Sequence, residues 1–378
     1  DRLRAFRVLE TLAEDHDLTL LSFVESPEQR EHARQLEPMC RRVQVVPRGR
    51  AASLATALGH SWRNLPLQVL YYRSRPMRRL VAESLAQGRF HAAYVHLFRM
   101  APYVRSGDLP YRIVDLTDVI SSEVARSLPY RRLPSRAVWA VERRRIERFE
   151  GEVADAGDEV WLISQAERER LIEIAPHAHV QVVPNAVDLD TFHPLDVPED
   201  PLRIVFSGHM GVFHNVDAAV HLAEVILPVI RCSVSDCRLR IVGASPGARV
   251  RRLASLGGVD VTGFVPDLNR ELNRAAVFVA PLRFSAGVQN KVLEAMAAAR
   301  PVVATTEVAG GIGAVAGRHL LVGRTSKEIA GHVTSLLADV RRRRALGTAA
   351  REFVADRFSW RIAAERVREI SDLIAARG

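Results

Sequence analysis

Short apolar runs alternate with amphipathic stretches along the whole chain. "LTLLSFV" (18–24), "RVQVVP" (42–47), "AAYVHL" (92–97), "YRIVDL" (111–116), "EVWLIS" (159–164) and "VQVVPN" (180–185) read as buried strands, and helical patterns separate most of them. The Pro- and Asp-rich stretch 185–201 has no periodicity, and after it the pattern restarts. "LRIVFSG" (202–208), "LRIVGA" (239–244), "VDVTGFV" (259–265), "VFVAPL" (277–282), "PVVAT" (301–305) and "HLLVG" (319–323) form a second set of strands. Strands that alternate with helices indicate parallel sheets with crossover helices. The chain is therefore expected to be α/β, with two doubly wound Rossmann-like domains facing an interdomain cleft. Ligands of such sheets bind outside the carboxyl ends of the strands.

Two helical stretches refine this picture. Leu3, Phe6, Leu9 and Leu12 give a helix-like pattern at the start of the chain, which opens at Asp1. A strand should precede such a helix, so a first strand is expected to lie before Asp1. Residues 136–154 read as a helix with Val138, Val141, Ile146, Phe149 and Val153 on its apolar face. Arg143, Arg144, Arg145 and Arg148 face Glu142, Glu147 and Glu150 on the other side, which reads as a solvated face with intrahelical ion pairs in preference to a membrane-surface face.

Composition adds limits. A chain of 378 residues is too long for one ordinary core. Its 53 basic and 44 acidic residues give a net charge of +9, which suits nucleotides, acidic lipid surfaces or nucleic acid without choosing among them. No recognisable nucleic-acid module accompanies the charge, and none is expected as a partner. Cys40, Cys232 and Cys237 supply neither a disulfide framework nor a zinc site, as in a cytoplasmic protein with reduced thiols. No run approaches the apolar length of a membrane span, so any membrane contact is expected to be peripheral, at the acidic inner face of the cell membrane.

The chemistry concentrates in "SAGVQNKVLEAMAAARPVVAT" (285–305). A strand ends at Leu282, a loop containing Gly287 follows, and a helix starts near Gln289. The free N–H groups of a helix start favour an anion, and Gly287 lets backbone approach it. Lys291 adds a full charge toward a phosphate. Glu294, one turn deeper, can accept two hydrogen bonds from a vicinal diol such as ribose, while Leu293, Met296 and Ala297 face the core. A plain crossover helix with a solvated lysine and glutamate accounts for the same residues. At two further strand ends, His96 and Asp118 are candidates to face a substrate, although a lone histidine is more often structural and a loop-capping aspartate accounts for Asp118 equally well.

This stretch resembles the donor-site helix of retaining glycosyltransferase family 4, in particular sugar transferases of bacterial exopolysaccharide clusters. In order along the chain, "VVPNAVDLDTFHP" (182–194), "VFSGHMGVFHNVDA", "VTGFVPDL" and "RFSWRIAAERV" (357–367) resemble the domain junction, the first nucleotide-domain loop, the loop over the base and the terminal helix. The resemblance implies the GT-B fold, with an acceptor-side domain 1–185, a linker 186–201, a nucleotide-sugar domain 202–350 and a crossover helix 351–378. It implies transfer of a sugar, with retention, from a nucleotide-diphosphate sugar co-substrate to a glycan or lipid-linked acceptor, without a further cofactor. Donor contacts are expected from Gly208, His209, His214, Phe264, Val265, Gly287, Val288, Gln289, Asn290 and Glu294. Lys291, Asp118 and His96 are expected to carry the catalysis.

Several positions depart from the family pattern. Ala286 stands where a second glutamate is usual, and His209 and His214 stand where the family has Arg and Lys, so Lys291 is expected to be the main fixed cation. Ala186 and Ala299 replace glycines, and Thr117 replaces a histidine beside Asp118. Asp188 and Asp190 have a metal-ligand spacing but sit in the junction motif, and no metal is expected. The missing charges leave open a catalytically weak binding partner in polysaccharide assembly. A GT-B sugar-nucleotide epimerase is a further alternative, disfavoured by the junction motif.

Overall fold

The computed structural model describes residues 2–105, 107, 109–157, 159–284 and 287–375. Each of the expected apolar runs is a strand. These are β1 (Thr19–Val24), β2 (Arg42–Pro47), β3 (Ala92–His96), β4 (Tyr111–Thr117), β5 (Glu159–Leu162) and β6 (Val180–Val182), followed by β7 (Asp200–Ser207), β8 (Arg238–Val242), β9 (Val259–Val261), β10 (Ala275–Ala280), β11 (Val302–Ala304) and β12 (Leu321–Val322). Every pairing among them is parallel.

The chain divides into two compact units, residues 1–184 with 363–378, and residues 185–362. In the first unit β1 pairs with β2, and β3, β4, β5 and β6 form a separate sheet in that order. Val95, Val114, Leu116, Val160 and Leu162 of that sheet pack with Phe98, Phe149 and Leu171. Such continuous apolar strands are what a parallel sheet buried on both faces requires. The second unit has one sheet in the order β12-β11-β10-β7-β8-β9. Renumbered from β7, this is the Rossmann order 3-2-1-4-5-6, whose direction of winding reverses between β7 and β10.

Several elements differ from the sequence expectation. The buried stripe of the first helix (Arg2–Leu12) is Arg4, Val8 and Thr11, while Leu3 and Phe6 are exposed. Arg4 turns inward because a buried carboxylate, Asp115, awaits it. Helix Ser135–Asp155 buries Ile146, Phe149 and Val153 as expected, but Val138 and Val141 are exposed and Glu142 and Glu150 are buried. Those glutamates cap other segments: Glu142 accepts the Leu67 N–H, and Glu150 accepts from Ser121.

The stretch expected to link the domains lies in the second unit, where the Val187 N–H donates to the Phe358 carbonyl over 2.7 Å. Helix Val340–Phe358 also belongs there, and a break at Ser359 starts the final helix, Trp360–Ala375. Val367 and Ile370 of that last helix pack on Trp161 in the first unit.

Among the described residues one helix, Phe213–Arg231, is long and apolar enough to span a membrane, contrary to the expectation from runs of apolar residues alone. It alternates rather than runs: Ala219, Leu222, Ala223, Ile226 and Ile230 are buried in the second unit, whereas Glu224, Val225 and Val229 are exposed. It is a core helix whose other face meets water.

Ala299, in the turn before β11, has φ +54°, a conformation that costs alanine about 1–2 kcal/mol. Its carbonyl lies so close to Gly347 that a Cβ there would be 2.1 Å from it, so the turn cannot relax. Ala299→Gly is expected to stabilise the protein by about 0.5–1 kcal/mol, net of the added freedom of the unfolded chain, and to raise the melting temperature by about 1–4 °C. Calorimetry that finds an unchanged or lower melting temperature would show that the turn carries no strain.

Candidate functional site

In the second unit the switch point is built from backbone first. The Gly208 N–H donates to the Val242 carbonyl over 3.0 Å, and the Gly243 N–H to the Gly263 carbonyl over 2.9 Å. These bonds draw together the loops after β7, β8 and β9. Gly243 has φ +149°, and a Cβ there would lie 1.8 Å from the Gly208 oxygen, so only glycine permits the approach. Phe264 and Val265 follow Gly263 in the loop after β9. Phe264 is 77% exposed, far more than a core phenylalanine, and so offers a free ring at the carboxyl end of the sheet.

The loop after β7 leads into helix Phe213–His221, which carries His214. His209 was expected to act as a partial cation. Its Nδ1 accepts the Gly211 N–H over 3.2 Å, which holds the ring against its own loop.

The loop after β10 leads into helix Asn290–Ala297, whose N-cap residue, Gln289, makes no side-chain cap bond. The first-turn N–H groups therefore keep the character of an anion site. Lys291 Nζ donates to Gln289 Oε1 over 2.7 Å, and Gln289 Nε2 to the Gly287 carbonyl over 3.2 Å, which ties Lys291 to the loop it would serve. Asn185 Nδ2 donates to Asn290 Oδ1 over 3.2 Å. Val288, Leu293, Met296 and Ala297 are buried. Burial pushes the Glu294 carboxyl up to about 7, with Lys291 pulling the other way. Ala286 lies outside the described residues.

Sequence reasoning missed two residues here. Arg283, in the loop after β10, forms a two-pronged pair with Asp217 on helix Phe213–His221, at 2.9 and 2.5 Å. It fixes a guanidinium, paired with that carboxylate, beside the switch point. A basic residue just past a strand end was visible in the sequence; its partner, distant in the chain, was not. Asn185 stood in the quoted junction motif, but only the fold carries it to the helix start.

In the first unit His96 and Asp118 lie at the carboxyl ends of the adjacent strands β3 and β4, where His96 and Asp115 are in register. The residues beside them, Leu97 (φ 72°) and Thr117 (φ 69°), adopt left-handed backbone, rare for such side chains. Beneath them Asp115 is fully buried. It accepts from Arg4 Nε (2.8 Å), the Tyr94 hydroxyl (2.5 Å) and the Thr117 N–H (3.0 Å). Burial disfavours its charge, but Arg4 and His96 outweigh burial and hold its carboxyl well below the usual range. His96 Nδ1 is 3.3 Å from the Tyr94 hydroxyl, and its Nε2 is buried without a hydrogen-bond partner among the described residues. Asp118 has the opposite environment: burial, then Glu167 and Glu123, push it up to about 7. Two carboxyls three residues apart are thus set to different protonation states, a pattern typical of reactive sites.

The Asp188 carboxylate accepts the N–H groups of Asp190 and Thr191, at 3.0 and 3.2 Å, as a turn cap does.

Residues 201–339 match the family model described as Glycosyl transferases group 1. The chain is 28% identical over 312 residues, 75% of each protein, to the GDP-mannose-dependent alpha-(1-6)-phosphatidylinositol monomannoside mannosyltransferase of Mycobacterium tuberculosis. It is 30% identical over 264 residues, 61% of this chain and 66% of the relative, to the alpha-maltose-1-phosphate synthase of Mycolicibacterium smegmatis. Its fold is similar to that of sucrose-phosphate synthase from Thermosynechococcus elongatus, with a TM-score of 0.71 at 16% identity, covering 100% of this chain and 94% of the other. Anabaena HepE in complex with UDP gives a TM-score of 0.66 at 14% identity, covering 97% and 95%.

Proposed function

We propose that this chain, a GT-B protein whose residues 201–339 form a group 1 glycosyl transferase domain, moves a sugar from a nucleotide-diphosphate donor to a glycan or lipid-linked acceptor with retention of configuration. The observation that carries the reading is the pairing of Lys291 and Glu294, one turn apart, on the helix that leaves the switch point of the Rossmann sheet. That spacing suits a diphosphate at the helix start and a ribose diol one turn deeper. The lipid-linked acceptor is supported by the mycobacterial relative, whose name gives a phosphatidylinositol monomannoside as its substrate.

In this reading the residues position and stabilise. N–H groups at the starts of helices Phe213–His221 and Asn290–Ala297, with Lys291 and Arg283 nearby, take up negative charge as the diphosphate leaves. The acceptor hydroxyl attacks the same face of the sugar, so no covalent enzyme intermediate forms. On the acceptor side, Asp118 at about 7 can hold or release a proton near neutrality, and Asp115 with Tyr94 sets the orientation of His96. Charge on the diphosphate is met by protein groups, and the Asp188 turn is engaged in its own backbone; the reaction therefore needs no divalent ion.

Purified protein should release sugar from one member of a panel of nucleotide sugars, and a chelator should leave that turnover unchanged. Loss of turnover restored by manganese or magnesium would overturn the metal-independent mechanism. No release from any donor, with nucleotide diphosphate still bound, would favour a binding partner over a transferase, a reading to which His209 and His214 in place of Arg and Lys give some weight.

A further inference from the structure

The first unit carries a surface that neither core nor catalysis uses. Helix Arg50–Gly59 buries Ser53 and Ala57, and turns Leu54 and Leu58 outward. Trp62 continues the row at the next four-residue step, and these three side chains are 55%, 63% and 76% exposed. Residues that far out are not grazing a core; they form a stripe facing solvent. A second apolar group adjoins it. Arg145 on helix Ser135–Asp155 donates to the Ser61 carbonyl over 3.1 Å, and Glu142 accepts the Leu67 N–H, which seats that helix beside residues 61–67. Val138, Val141 and Arg145 share one helix face, and Val138 and Val141 are exposed, as is Leu133 just before the helix.

The charge around this stripe is mainly positive, although Glu25 pairs with Arg48 and Arg50. Between Arg48 and Ala82 the chain has arginines but no Asp or Glu, and the same holds from Val124 to Val141. Arg75, Arg78 and Arg79 are exposed, and with Arg73 they form no ion pair among the described residues. Arg73 is depressed by burial and then by Arg63, Arg78 and Arg75, so these guanidiniums crowd one another. Arg63 in turn lies over the Trp62 ring at 5.3 Å, which joins the cationic cluster to the apolar stripe. Arg132, Arg136 and Arg144 are exposed on the other side. Like charges left together oppose folding unless an anionic partner meets them.

We propose that the face built by residues 50–63 and by Leu133 with the first turns of helix Ser135–Asp155 docks on an anionic lipid bilayer surface. Aliphatic side chains and a tryptophan enter the headgroup boundary, and the surrounding arginines meet lipid phosphates. A nucleic acid would use the arginines but gives Leu54, Leu58, Val138 and Val141 nothing to bury against, and a bilayer satisfies both. A second copy of the chain would bring the same positive charge to the contact.

The full chain should co-sediment with vesicles of phosphatidylcholine and phosphatidylglycerol, and much less with phosphatidylcholine alone or at high salt. Replacing Arg75, Arg78 and Arg79 together with glutamine should lower the partition coefficient about a hundredfold, from about fivefold for each charge. Leu58→Ser with Trp62→Ser should lower it at least about tenfold. All these side chains are exposed, so the melting temperature and nucleotide-diphosphate binding should stay at wild-type values, which separates this surface from the donor reading. Equal binding to neutral vesicles would overturn the proposal, as would vesicle binding unaffected by either variant. Tight binding to duplex nucleic acid that survives Leu58→Ser with Trp62→Ser, or a concentration-dependent dimer lost in that variant without vesicle binding, would assign the face to another partner.

Discussion

Asp115→Ala is expected to be the most damaging single substitution in the first unit, at about 3–5 kcal/mol of stability. Arg4 is almost fully buried and cannot follow its charge into water, because its NH1 is also held by the Val183 and Pro184 carbonyls at 2.9 and 3.3 Å. Removing Asp115 takes from that guanidinium the carboxylate it is bonded to and leaves the Tyr94 hydroxyl and the Thr117 N–H without their acceptor. Arg4→Met combined with Asp115→Leu should recover much of the loss, since it removes both charges together. Urea unfolding followed by fluorescence of Trp161, which packs in the same cluster as Val8, reports the effect directly. A loss below about 1 kcal/mol would mean that Arg4 finds water in the variant.

The pH dependence has a definite sign. The folded Asp115 carboxyl titrates below its unfolded value of about 3.9, so its stabilisation is complete above that value and fades as pH falls toward the folded one. The difference between wild type and Asp115→Ala should therefore narrow only in strong acid. A difference that narrowed already near neutrality would mean that the ion pair is not its source.

Glu294→Gln is expected to weaken nucleoside-diphosphate binding by about 1–3 kcal/mol, or roughly five- to 150-fold, through loss of a charged acceptor. The raised carboxyl makes this visible in pH as well. Because burial holds Glu294 at about 7, the fraction ionised, and with it affinity for a ribose diol, should rise between pH 6 and 8 in the wild type. The same titration should be flat in Glu294→Gln. A 2′-deoxynucleoside diphosphate should bind the wild type more weakly and distinguish the two proteins least, since it lacks half of the diol. Lys291→Met should discriminate differently, lowering affinity for the diphosphate while sparing the nucleoside. Calorimetric titrations in which Glu294→Gln binds ribose and deoxyribose forms as the wild type does would remove Glu294 from the donor site.

The strands were legible because each is a short, continuous apolar run between turn residues, and a parallel sheet buried on both faces permits little else. The helix from Asn290 was legible for a similar reason: its start, its lysine and its glutamate are local features within one turn of each other. Helix faces were less so. Periodicity placed Leu3 and Phe6 inside and Glu142 and Glu150 outside, and the fold reversed both assignments because buried polar groups take the inward positions when a distant partner satisfies them.

By itself, then, the sequence determined the alternation of strand and helix, the restart of that pattern after the Pro- and Asp-rich stretch, and the helix that carries Lys291 and Glu294. Only the tertiary structure decided the strand order that creates the switch point, since order depends on crossovers rather than on any one segment. It alone brought Arg283 to Asp217, Asn185 to Asn290 and Arg4 to Asp115. It also divided Asp115 from Asp118, three residues apart in the sequence, into a carboxyl held low and one raised to about 7. The physical reason is common to all of these. Local propensity is written in adjacent residues, whereas burial, ion pairing and the charge state of a group are set by whatever the fold packs against it.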